Sequence, residues 1–100
     1  MNKKVNIIVK AIEAKKGENI KVFETNNDYS DYVIVCSSLN NKNAYAICEN
    51  IEDELEKNGY SIKNIEGRDS REWVLIDCYD IIIHVFSFDG RERFKIEELF

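Results

Sequence analysis

The chain has 100 residues, 44% of them hydrophobic and 33% charged, with no proline and a net charge of -5. That length holds one small domain, residues 1–100, and excludes a two-domain enzyme or a large cofactor fold. The apolar fraction is too high for disorder, a mean hydropathy of -0.41 with scattered charges excludes a membrane span, and the acidic balance argues against a general phosphate-backbone binder.

Val5, Ile8, Val9 and Ile12 recur at helical spacing and predict a helix over residues 2–15, stopped by Gly17. Asn2, Asn6 and the lysines among them leave no signal-peptide core, so the chain reads as cytoplasmic. Residues 19–24 alternate partly and predict a short strand, followed by turn chemistry at Thr25, Asn26, Asn27 and Asp28. The run Tyr32, Val33, Ile34, Val35, Cys36 is continuous and β-branched, as in a strand covered on both faces. Ala44, Ile47, Cys48, Ile51 and Leu55 predict a second helix, capped by Asn40 or Asn41 and ended by Asn58 and Gly59. Its outer side carries Glu49, Glu52, Asp53 and Glu56, the composition of a solvated face.

Residues 60–66 predict a third strand with Tyr60, Ile62 and Ile65 as apolar members, and Gly67 to Glu72, including Arg71, read as a polar loop. Residues 73–78 and 81–86 are separated only by Tyr79 and Asp80 and should pair as a hairpin. The tail, residues 91–100, predicts a helical turn with Phe94, Leu99 and Phe100 packing back. The expected architecture is α/β: a mixed five-stranded sheet flanked by helices, with the strands on either side of the second helix forming a parallel crossover.

Cys36, Cys48 and Cys78 lack metal-ligand spacing and sit in apolar segments, so they read as reduced core thiols, with no metal and no cofactor expected. His84 is the only histidine and lies mid-strand, pointing with Ile82 and Phe86 and away from Ile83 and Val85. No glycine-rich phosphate loop or nucleophile elbow occurs. Asp77 and Asp80 are three apart across a turn, not two apart on one strand face, and Ser37–Ser38 lacks the glycine of a phosphate-binding turn. Catalysis is therefore poorly supported. Trp73, Asp77, His84, Arg91, Arg93 and Phe94 instead mix residue types enriched in binding surfaces around one sheet region, although a single tryptophan is as readily a core residue.

The run WVLIDCYDIIIHVF, residues 73–86, resembles the W-V-L-x-D-Y-G-D-V-V-V-H-V-F core of the ribosomal silencing factor, or Iojap-like, family. Residues 9–16, residues 31–37, Glu66–Gly67 and the tail at 91–100 are similar to other family segments in the same order. The resemblance implies a nucleotidyltransferase-like fold without catalytic acids and a non-enzymatic role. It implies binding to the large ribosomal subunit through its fourteenth ribosomal protein, blocking small-subunit joining and repressing translation under nutrient limitation. Carried onto this chain, it implies partner contacts at Trp73, Asp77, Asp80, His84, Arg91 and Phe94. Trp73 and Phe94 would be apolar anchors, Asp77 and Asp80 would meet basic side chains, and His84 and Arg91 would hydrogen-bond or orient the surface. Direct nucleic-acid and membrane binding are not expected. The alternatives are a nucleotidyltransferase-like enzyme, an interaction module for another basic protein, and a homodimer through the same surface. This chain departs from the pattern where Tyr79 replaces the turn glycine, Ser38 a glycine after the second strand, Lys42 an arginine and Phe100 the terminal tryptophan.

Overall fold

The computed structural model describes residues 2–25, 27–70 and 72–100. Asn26 of the expected turn and Arg71 of the expected polar loop lie outside the described residues. In chain order the elements are α1 (Lys3–Ala14), β1 (Glu18–Glu24), β2 (Tyr32–Ser38), α2 (Asn41–Lys57), β3 (Asn64–Glu66), β4 (Trp73–Asp77), β5 (Ile81–Ser87), α3 (Phe88–Phe94) and a 3₁₀ turn, Ile96–Leu99.

Both long helices begin at an asparagine whose side chain answers free amides. Asn2 accepts from Lys4 and Val5 at 2.8 and 3.2 Å, and Asn40 accepts from Asn43 at 2.7 Å. Both end in the same double hydrogen-bond motif. In α1 the Lys16 amide donates to Glu13 and the Gly17 amide to Ile12, each at 2.9 Å. The left-handed residue there is Lys16 (φ 61), not the expected Gly17. Gly17 is needed for a different reason: a Cβ on it would lie 2.3 Å from Ile12 Cγ2.

The sheet order is β1-β2-β5-β4-β3, with β2 and β5 parallel and the other neighbours antiparallel. The parallel neighbour of β2 is thus β5, and β3 lies at the far edge, which corrects the expected pairing of the strands around α2. The sequence explains it: the apolar run of β5 suits a central slot buried on both faces, whereas Asn64 and Glu66 suit an edge. The expected third strand also shrinks to Asn64–Glu66, because the Tyr60 amide instead closes α2 on the Leu55 carbonyl at 2.9 Å.

Alternation divides the sheet. One face meets α1 and α2 through Ile34, Cys36, Val74, Ile76, Ile83 and Val85, packed on Val5, Ile8, Ile12, Ile47, Ile51 and Leu55. The other carries Val33, Val35 and Phe86, with Phe23, Trp73, Ile82 and Ile96 packed against them. The tail crosses part of this second face. Phe100 lies 5.5 Å from Phe23 between ring centroids, and Ile96 packs on the β2–β5 residues. Leu99, expected to pack back, is 77% exposed, because the left-handed Lys95 (φ 47) redirects the chain so that Ile96 and Phe100 reach the sheet instead.

Candidate protein-docking face

On β4, Trp73, Leu75 and Asp77 share the second face, opposite Phe86, His84 and Ile82 of β5. The tail stops at Trp73. Beyond it Leu75, Asp77 and Ile82 are half-buried, and Asn64 and Glu66 of β3 are exposed. The uncovered half therefore presents an apolar centre bordered by carboxylates. A cleft of about 230 Å³ lies there between Glu66, Gly67, Trp73 and Leu75.

Trp73 is fixed from several sides. Its ring centroid lies 5.2 Å from Phe86, 4.9 Å from Phe94 and 5.8 Å from His84, and its indole N–H donates to His84 Nδ1 at 3.0 Å. That bond requires a neutral imidazole with its proton on Nε2. Burial enforces the neutral state: His84 is 4% exposed, and desolvation pushes its pKa from 6.5 down to about 4.

Phe94 reaches Trp73 because α3 is seated against the start of β4. Ser87 Oγ accepts from the Gly90 amide at 2.9 Å, and Gly90 lies so close to Glu72 that a Cβ would sit 2.4 Å from its carbonyl oxygen. Arg91 is 8% exposed and ties the tail to the sheet: Nε donates to Glu97 at 2.6 Å, and Nη1 to the Asn19 carbonyl and Ser37 Oγ at 2.5 and 3.0 Å. The Arg91 hydrogen bond holds the Glu97 carboxyl below the usual range.

At the hairpin tip, Asp77 Oδ1 accepts from the Tyr79 amide at 2.9 Å. Asp80 pairs with Lys4 Nζ at 2.7 Å, and the same ammonium donates to the Cys78 carbonyl at 2.7 Å. Of the six residues singled out from sequence, Trp73, Asp77 and Phe94 border the uncovered surface, Asp80 lies at its tip, His84 is buried behind Trp73, and Arg91 is buried away from it, under the tail on the β1–β2 side. Leu75, Ile82 and Glu66 were not among the six. Counting in twos from Trp73 and His84 finds the first two, but Glu66 enters through its pairing with Leu75, which no local pattern gives.

The nucleotidyl-transfer reading finds its groups engaged elsewhere. Ser37 Oγ accepts from Arg91, Ser38 Oγ donates to the Phe86 carbonyl at 3.3 Å, and both serines are buried. Cys36, Cys48 and Cys78 are free and buried, and desolvation raises their thiols to about 12, 11 and 12 respectively, the behaviour of core groups. No helix is long and apolar enough to cross a membrane among the described residues.

Over residues 1–100 the chain matches the family described as ribosomal silencing factor during starvation. It is 33% identical to ribosomal silencing factor RsfS of Bacillus subtilis, covering 99% of this chain and 87% of that protein. A mouse protein, mitochondrial assembly of ribosomal large subunit protein 1, is 21% identical over 95% of this chain and 44% of its own length. A crystal structure of a Chromobacterium violaceum protein superposes with a TM-score of 0.94 at 28% identity, covering 99% of this chain and 86% of that one.

Proposed function

Because the chain belongs to the ribosomal silencing factor family, whose name denotes no enzyme class, we propose that it docks on the large ribosomal subunit through that subunit's fourteenth protein. Its bulk there keeps the small subunit from joining, and translation falls when nutrients are short. The work is occlusion in the cytoplasm and needs affinity and volume, with no chemical step. The observation that carries this reading is the uncovered half of the second sheet face, where Trp73 and Leu75 are bordered by Glu66 and Asp77. An aromatic anchor inside a polar, charged rim is the anatomy of a protein interface. With a net charge of -5, the rim complements a basic protein and repels bare phosphate. The mouse relative's name places that protein in assembly of the ribosomal large subunit, which is consistent with the same target.

Sucrose-gradient sedimentation tests the reading. The chain is expected to travel with free large subunits and to be absent from joined ribosomes; failure to co-sediment with large subunits sinks it. Asp77→Lys places a cation in the rim and is expected to lower large-subunit affinity about tenfold while the far-ultraviolet circular dichroism stays native. Unchanged affinity would remove Asp77 from the surface.

A further inference from the structure

We propose that Tyr79 is a specificity-determining contact of the docking face, an aromatic anchor that receives a basic side chain of the partner. The inference rests on the docking reading above and extends its footprint from the open sheet face onto the hairpin tip. Tyr79 has φ 72, a left-handed backbone that disfavours every residue carrying a bulky side chain and suits glycine or asparagine. The residue is nevertheless 55% exposed, so core packing does not require its side chain. Both local geometry and packing would be served as well by a glycine. An exposed tyrosine kept in a strained position therefore points to work done outside the molecule.

Hydrogen bonds fix the backbone of the tip that presents that ring. Asp77 Oδ1 accepts the Tyr79 amide, the Cys78 amide donates to the Ile81 carbonyl at 2.9 Å, and Lys4 holds the Cys78 carbonyl at 2.7 Å. The Asp80 carbonyl accepts from the amides of Asp31 and Tyr32 at 2.7 and 3.2 Å, which fastens the β1–β2 loop alongside. Asp77 and Asp80 flank Cys78 and Tyr79 at the tip, the loop of Asp31 is fastened alongside, and Lys4, the cation bound at the tip, is held by Asp80. An exposed ring on a tip that carries these acidic residues suits a lysine or arginine, which gains cation–π and ionic attraction together. Phosphate would meet repulsion.

The test pairs stability with affinity for purified large ribosomal subunits. Tyr79→Gly and Tyr79→Asn relieve the backbone strain while removing the ring. Tyr79→Gly is expected to melt at a higher temperature than the parent chain, and both variants to bind large subunits about tenfold more weakly. Tyr79→Phe, which keeps the ring, is expected to bind within about twofold of the parent. Asp31→Lys is expected to weaken binding. The proposal is overturned if both ring-deleting variants bind as the parent does, or if Asp31→Lys strengthens binding, the mark of a phosphate partner. A parent chain that binds no large subunits overturns the docking reading itself, and this inference with it.

Discussion

Trp73 and His84 hold each other in a way that makes the anchor sensitive to acid. The indole N–H needs an acceptor, and His84 Nδ1 supplies one at 3.0 Å only while the imidazole is uncharged. Burial lowers the His84 pKa to about 4 from 6.5. A base with a depressed folded pKa favours the fold above its unfolded pKa, and that contribution is lost as pH falls toward the folded value. Stability is therefore expected to fall by roughly 3 kcal/mol between pH 6.5 and 4, at about 1.4 kcal/mol per pH unit. Glu97, held low by Arg91, pushes the same way as its carboxyl begins to protonate. His84→Asn removes the titrating group and leaves an acceptor, and is expected to flatten the dependence of Tm on pH over this window while lowering Tm at neutral pH through lost ring packing. A variant as steeply pH-dependent as the parent would show that another group carries the effect.

At the scale of elements, the docking face depends on α3 delivering Phe94 to Trp73, and α3 depends on one glycine. A Cβ at Gly90 would meet the Glu72 carbonyl oxygen at 2.4 Å, and that oxygen belongs to backbone that also accepts the Ser87 amide at 3.0 Å. Gly90→Ala is expected to cost roughly 1–3 kcal/mol and to shift the emission of Trp73, the only tryptophan, as Phe94 is displaced. Native-like emission and Tm would show that α3 absorbs the methyl group. The same element marks the limit of what can be read from the chain. The periods of α1, α2 and the strands were legible because each buries an apolar stripe, and two-residue alternation put His84 beside Ile82 and Phe86. The sequence FDGRERF of α3 has no such stripe; the helix forms because Ser87 caps it and Glu72 receives it. Strand order was hidden for a related reason, since pairing β2 with β5 is a long-range choice that local pattern does not encode. Asp80 drew attention as a partner carboxylate, yet it pairs with Lys4, 76 residues away. Arg91 likewise reaches Asn19 across 72 residues.

The whole molecule measures 31 × 28 × 22 Å, and its acidic groups are not equivalent. Glu49, Asp53 and Glu56 are exposed on α2, whereas Asp28 and Asp31 lie in the loop beside the hairpin tip. Helices α1 and α2 and the docking face lie on opposite sides of the sheet, and the shortest dimension of 22 Å is about two Debye lengths at 0.1 M salt. A basic partner approaching the open face should feel the tip and barely feel α2. At about 0.1 M salt, Asp28→Asn combined with Asp31→Asn is expected to slow association with large subunits several-fold and to change dissociation much less, the pattern of rim charges that steer an encounter. Glu49→Gln combined with Asp53→Asn removes the same formal charge from the far side and is expected to leave the association rate nearly unchanged. Stopped-flow mixing at two salt concentrations separates these outcomes. Equal slowing by the two pairs would mean that net charge alone draws the partner in, and would leave the uncovered sheet face without its electrostatic argument. Slowing confined to the tip would make the charge of -5 a directed feature of the surface, one that solubility alone does not require.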